Sequence, residues 1–213
     1  MKQLIKDNYK YIIILAILAI IFWLPLPYYI DAPGGLTNLN KKVTIKGKKI
    51  DGFDIDGTRP TKDRVKESLI AIIQNKIKDS VVLDLFAGSG SLGIEALSNG
   101  AGCCYFVDNS KDIIKILKRN LIGINNSFLV FDDYKSALTE FRSKNIKFDI
   151  IFLDPPYHLN ILNNAIQLIK DYNLLNKNGI IICEFEEEIP CNIYNVIKEK
   201  KYGKTNIVIL KNN

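Results

Sequence analysis

Two short stretches of the chain carry groups that could do chemistry. One is Asp154-Pro-Pro-Tyr157, which follows the apolar run Phe148-Asp-Ile-Ile-Phe-Leu153. Its two prolines stiffen the turn and fix where the Asp154 carboxylate and the Pro155 carbonyl point. Both groups are acceptors, so together they can hold the two hydrogens of an exocyclic NH2 group. Tyr157 offers a flat face for a stacked base, worth roughly 1–3 kcal/mol. The set, with Pro156 completing the turn, suits a planar amine and gives a hydride donor nothing to do. A rigid surface turn is the plain alternative.

The other stretch runs Val81-Val-Leu-Asp-Leu-Phe-Ala-Gly-Ser-Gly-Ser-Leu-Gly-Ile-Glu-Ala96. It reads as a buried strand, a turn made by Gly88, Gly90 and Gly93, and a helix capped by Ser89 or Ser91. Open α/β sheets bind nucleotide-like ligands at such turns, where glycine lets the backbone approach and the first helical amides become donors. Alone, Gly-x-Gly-x-x-Gly is a weak signal that also fits dinucleotide enzymes, or a tight turn with no ligand. Asp108 lies 20 positions after Gly88, where an acidic residue usually holds ribose hydroxyls. A helix N-cap is its rival role.

The elements that must position these groups alternate. Around Gly57-Thr-Arg-Pro-Thr-Lys-Asp-Arg-Val-Lys-Glu-Ser-Leu69, Thr61 is a plausible N-cap, and Val65, Leu69, Ile72 and Ile73 form one apolar stripe. Arg59, Thr61, Asp63 and Arg64 are packed into one loop and first turn, where arginine can pair with a carboxylate or bind a ligand's carboxylate or phosphate. Strands are expected at Cys103–Val107, Phe128–Phe131, Phe148–Leu153 and Gly179–Glu184, and helices at Lys111–Leu121, Lys135–Arg142 and Leu159–Ile169. Extended runs at Ile193–Ile197 and Asn206–Leu210 are joined near Lys198–Gly203. The pattern predicts an α/β fold with a mostly parallel sheet and a C-terminal antiparallel hairpin. Asp132 and Asp133, after the third strand, are also cap candidates.

The chain of 213 residues suits one α/β domain with an appendage, and its net charge of +6 leans toward a polyanionic partner or a solvated basic surface. Cys103, Cys104, Cys183 and Cys191 show no metal-ligand spacing, which fits reduced thiols, and no metal is expected. Lys41-Lys-Val-Thr-Ile-Lys-Gly-Lys-Lys-Ile50 suits an edge strand or a phosphate-contacting arm. Glu184 to Glu188 is expected to be a solvated loop facing away from nucleic acid, and His158 receives no role.

Asp84-Leu-Phe-Ala-Gly-Ser-Gly90 together with Asp154-Pro-Pro-Tyr157 resembles the S-adenosylmethionine-dependent amino-group methyltransferases. Arg59-Pro-Thr-Lys-Asp-Arg-Val-Lys-Glu67 narrows the resemblance to the RsmD family, over about residues 41–213. These enzymes methylate the exocyclic N2 of a guanine in small-subunit ribosomal RNA. The resemblance implies a Rossmann-like S-adenosylmethionine-dependent methyltransferase fold. It implies that Asp84, Phe86, Ala87, Gly88, Ser89 and Gly90 cradle the cofactor's methionine part, that Asp108 takes the ribose, and that Asp133 and Tyr134 flank the adenine. Asp154, Pro155, Pro156 and Tyr157 would hold the guanine, and Arg59, Thr61 and Arg64 would line the mouth of the site. The partner would be ribosomal RNA or the small subunit, met by a cytoplasmic, monomeric domain. The rivals are a nicotinamide-dependent oxidoreductase, a DNA amino-methyltransferase, and an inactive RNA-binding module.

The first 40 residues stand apart. Tyr11 to Ile30 holds no charged residue, long enough for an N-terminal hydrophobic helix to span a bilayer. Lys2, Lys6 and Lys10 precede it, and Lys41, Lys42, Lys46, Lys48 and Lys49 follow, so the charge rule does not settle orientation. Pro25-Leu-Pro-Tyr-Tyr-Ile-Asp-Ala-Pro-Gly-Gly35 resembles the membrane anchor of PDZ-containing Lon-like proteases. Nothing downstream resembles a PDZ domain or a Ser-Lys site. The expectation is an anchor-like segment, 1–40, joined by fusion or gene-calling to a methyltransferase domain, 41–213.

Overall fold

A computed structural model describes residues 59–156, 159–185 and 193–212, with side chains omitted for 59–64 and 159. The expected membrane helix at 11–30, the basic ribbon at 41–50, Tyr157 and His158 lie outside the described residues. Among the described residues, no helix is long and apolar enough to cross a membrane.

The elements follow in the order α1 (Arg59–Ile77), β1 (Val81–Asp84), α2 (Ser91–Ser98), β2 (Cys103–Asp108), α3 (Lys111–Asn120), β3 (Ser127–Phe131), α4 (Tyr134–Ser143), β4 (Phe148–Leu153), α5 (Leu159–Asp171), β5 (Leu175–Phe185), β6 (Asn195–Tyr202) and β7 (Thr205–Lys211). They build a seven-stranded sheet ordered β3-β2-β1-β4-β5-β7-β6. β1 through β5 pair in parallel, while β7 pairs antiparallel with both β5 and β6. From β1 the chain steps outward to β2 and β3, then returns to the other side of β1 to lay down β4. That reversal puts a topological switch point at the carboxyl ends of β1 and β4, where ligands of open α/β sheets sit.

Strand residues alternate between two cores. Val82, Phe106, Ile150, Phe152, Ile182 and Ile209 pack with Leu69, Ile73 and Ile77 of α1, Ile94 of α2 and Leu117 of α3. Leu83, Val107, Ile151, Leu153, Ile181 and Val208 pack on the opposite face with Leu138 and Phe141 of α4 and Leu162, Ile166 and Ile169 of α5. Cover on both faces explains why the central strands read as unbroken apolar runs. Phe106, Phe148 and Phe152 are among the largest fully buried side chains, each stabilising the fold by roughly 2–3 kcal/mol.

Several local expectations need correction. α1 already begins at Arg59, so Thr61 lies inside its first turn and is not the cap; Pro60 suits a first helical turn because its missing N–H has no partner there in any case. The residue at the N-cap of α2 is Gly90, in a left-handed conformation with no side-chain bond, and neither Ser89 nor Ser91 takes that role. β5 starts at Leu175, four residues before the expected Gly179. Lys198–Tyr202 belongs to β6, because the hairpin turn is only Gly203-Lys204, with Gly203 at φ +62°. The lysines of this run lie on a solvated edge strand.

Candidate active site

The turn after β1 is held from three directions and closed on itself. The Leu85 N–H donates to the Phe152 carbonyl at 3.2 Å and the Ala87 N–H to the Val107 carbonyl at 2.9 Å, tying the turn to β4 and β2. Gly90 N–H closes the turn on the Ala87 carbonyl at 2.7 Å. Asn120 Nδ2, at the end of α3, donates to the Ser89 carbonyl at 2.9 Å. Nothing in the sequence singles Asn120 out, since its pattern is that of any helix end.

The three glycines differ in what surrounds them. A Cβ at Gly93 would lie 2.4 Å from the Phe106 ring, and one at Gly90 would lie 2.5 Å from Leu117 Cδ1. These two glycines let α2 press against β2 and α3. Gly88, at φ +53°, has open space where a Cβ would be built. It exposes backbone at the mouth of the turn, as a ligand-facing glycine must.

Three carboxylates converge at this edge. Asp84 is 3% exposed, and its Oδ2 accepts from the Gly93 N–H at 3.1 Å. Its carboxyl is raised to about 7, mainly by burial and further by the nearby charges of Asp154 and Asp108, against the lowering effect of the Gly93 bond. Asp108 joins two loops: Oδ2 accepts from Gly88 N–H at 3.1 Å and Oδ1 from Ser110 N–H at 2.9 Å. Ser110, not Asp108, caps α3. Each Asp108 oxygen retains a second lone pair for a hydroxyl donor.

Asp133 caps α4, accepting from the Lys135 N–H, the Ser136 N–H and the Ser136 hydroxyl. Those bonds, the Ser136 hydroxyl first, hold its carboxyl below the usual carboxylate range. Asp132 accepts from the Asp133 N–H at 2.8 Å, and partial burial pushes its carboxyl up. The Tyr134 ring lies 5.6 Å from that of Phe86, bringing the β3–α4 corner against the glycine turn. This aromatic wall is assembled from residues 48 positions apart.

At the end of β4, Asp154 and Pro156 are exposed and Pro155 is buried. Phe152 is level with Asp84 in the β1–β4 pair, so Asp154 follows immediately beyond the switch point. The backbone of α1 begins at Arg59, with Thr61 and Arg64 in its first two turns. No group of His, Cys, Asp and Glu suited to a metal ion occurs among the described residues. Burial raises the Cys103 thiol to about 11 and the Cys104 thiol well above its ordinary value, so neither is an activated nucleophile.

A protein-family model described as conserved hypothetical protein 95 matches residues 43–211. The ribosomal RNA small subunit methyltransferase D of Haemophilus influenzae is 37% identical over 164 residues, covering 74% of this chain and 85% of its own. The Escherichia coli protein of the same name is 33% identical over 166 residues, covering 75% and 82%. In fold, the chain is similar to a SAM-dependent methyltransferase from Agrobacterium tumefaciens, with a TM-score of 0.51 at 18% identity, covering 66% of this chain and 46% of that one.

Proposed function

Because the chain belongs to the conserved hypothetical protein 95 family, with RsmD-like relatives, we propose that it transfers a methyl group from S-adenosylmethionine to the exocyclic N2 amine of a guanine in 16S ribosomal RNA. The observation that carries this reading is the placement of Asp154 and Pro155 directly beyond the strand that pairs with Asp84, beside the glycine turn. Donor and acceptor sites then share one crevice at the switch point.

The residues present fit the cofactor. Gly88 offers open backbone for the methionine part, Asp108 has lone pairs for the ribose hydroxyls, and Phe86 with Tyr134 supplies an apolar wall for the adenine. We assign Asp132 to the adenine amine in preference to Asp133, whose carboxylate is committed to α4. Asp84 acts by holding Gly93, and through it the start of α2. The bound cofactor supplies an already activated methyl group, which leaves the protein the work of alignment.

The guanine must leave its stack to reach the crevice. Its amine is a poor nucleophile because the lone pair is delocalised into the ring. Hydrogen bonds from its two N–H groups to the Asp154 carboxylate and the Pro155 carbonyl favour rehybridisation and stabilise the positive charge that develops. By its place in the motif we assign Tyr157 to the stacking of the base, and Pro156 to the rigidity of the turn. With the cofactor bound, its sulfonium would supply the methyl group that the amine receives, and Asp154 or water would take the surplus amine proton. By their place in the motif we assign Arg59, Thr61 and Arg64 to the mouth of the site. Transfer takes place in the cytoplasm, and we read residues 11–30 as an anchor-like segment joined to this domain.

Asp154→Ala is expected to lower transfer to ribosomal RNA by about 10² or more, while S-adenosylmethionine binding, read by calorimetry, survives. Lost binding in a folded variant would remove Asp154 from this role.

A further inference from the structure

The sheet register puts a row of lysines level with the crevice. Leu153 pairs with Cys183, Cys183 with Val208, and Val208 with Glu199. The next residue after Leu153 is Asp154, and the next after Glu199 is Lys200, so the two stand in adjoining positions of one row. Three strand steps separate them, about 14 Å. β6 runs antiparallel to β7, which runs antiparallel to β5, so the C-terminal end of β6 lies at the same carboxyl edge as Asp84 and Asp154.

Lys198, Lys200, Lys201 and Lys204 are all exposed there, and neither the Lys115–Asp112 nor the Lys144–Glu140 ion pair uses them. Strand alternation puts Lys198 and Lys200 on the face of Tyr202, whose hydroxyl lies 2.6 Å from Ser68 Oγ of α1. Further along α1, Lys76 Nζ reaches the Asn178 carbonyl at 3.1 Å, near the opposite edge. α1 therefore runs away from the carboxyl edge, and its first turn, from Arg59, approaches that edge on the face of Lys198 and Lys200.

Edge protection alone does not explain this distribution. Lysine on an edge strand discourages pairing with another chain, and the part of β6 most in need of it is Val196 and Ile197, which are 47% and 52% exposed. The charges instead crowd toward the crevice end.

We propose that the C-terminal half of β6 and its turn are the track for the phosphate backbone of the substrate RNA. Lys198, Lys200 and Lys204 hold nucleotides a short way along the strand from the base in the Asp154 site. Lysines two apart on a strand are about 7 Å apart, a span comparable to one extended nucleotide. Such contacts position the RNA and carry no sequence information, which leaves selection of the base to the crevice. The inference rests on the reading of RNA as substrate.

The test compares the full chain carrying Lys198→Gln, Lys200→Gln and Lys204→Gln with a control carrying Lys78→Gln, Lys147→Gln and Lys177→Gln. The control makes the same change in net charge at the amino edge. Tritium transfer from S-adenosylmethionine to 16S RNA transcripts and to isolated small subunits gives KM and kcat, and fluorescence anisotropy gives RNA affinity directly. The β6 variant is expected to raise KM for RNA about tenfold, with a much smaller change in kcat. Its log–log salt dependence of binding should be shallower by about 1 per lysine that meets a phosphate. The control should match wild type. Unchanged affinity and salt slope in the β6 variant, or an equal loss in the control, overturns the track. A wild-type protein that binds RNA through these lysines but transfers no methyl group overturns the substrate reading and leaves the track standing.

Discussion

Asp84 ends a buried strand with its carboxylate turned toward a backbone amide, and burial outweighs that single hydrogen bond. Its carboxyl is raised from 3.8 to about 7, so between those values the folded chain holds a proton that the unfolded chain has released. Stability therefore falls as pH rises through this window and levels off above it. Asp84→Asn removes the titration. Relative to wild type, its unfolding free energy from urea titration should improve from pH 4 to pH 8, by on the order of a few kcal/mol. Parallel pH curves would show that Asp84 does not titrate on folding. Asp84 was legible as part of a buried strand, but its bond to Gly93 was not, because that contact depends on how α2 settles on β2. The same holds for Asp132 and Asp133. Both are acidic residues before a helix, and only the course of the backbone makes Asp133 the cap.

The β1–α2 turn behaves as one element with two kinds of glycine. Gly90→Ala combines a left-handed φ of +80° with a contact 2.5 Å from Leu117, and should cost about 2–4 kcal/mol of stability. Gly88→Ala meets no atom of the protein, so only about 1 kcal/mol of backbone strain is expected, while S-adenosylmethionine binding weakens by about tenfold. Thermal melts and calorimetry on the two variants separate these effects. A Gly88→Ala protein with wild-type affinity would take Gly88 away from the cofactor. The spacing of the glycines marked the turn but could not rank them, since clash or open space is set by Phe106 and Leu117 on other elements. β6 tells a similar story at its own scale: a lysine-dense run is ambiguous until pairing with β7 makes it an edge.

For the molecule as a whole, the family match spans residues 43–211, and we propose a domain boundary at residue 41. A chain beginning at residue 41 is expected to keep its methyl transfer to 16S RNA, assayed beside the full chain. Lost transfer in a folded, cofactor-binding protein would assign the first forty residues a part in the reaction. Fractionation of the native protein bears on the anchor-like segment, and full-length protein in washed membranes is the result that reading expects.

What the sequence determined by itself was local and additive. Unbroken apolar runs meant strands covered on both sides, their alternation with helices meant a mostly parallel sheet, and Asp84–Gly90 with Asp154–Tyr157 carried the resemblance to amino-group methyltransferases. These signals survive in one dimension because each depends on neighbours within a few residues. The tertiary structure decided what depends on partners far along the chain. It spent Asp133 on a helix cap, joined Gly88 to Ser110 through Asp108, and set Phe86 beside Tyr134. It also carried Lys200 to the row of Asp154 through two intervening strands. No spacing rule anticipates that placement, because a sheet's register is fixed by hydrogen bonds between strands and by the cores packed against both of its faces.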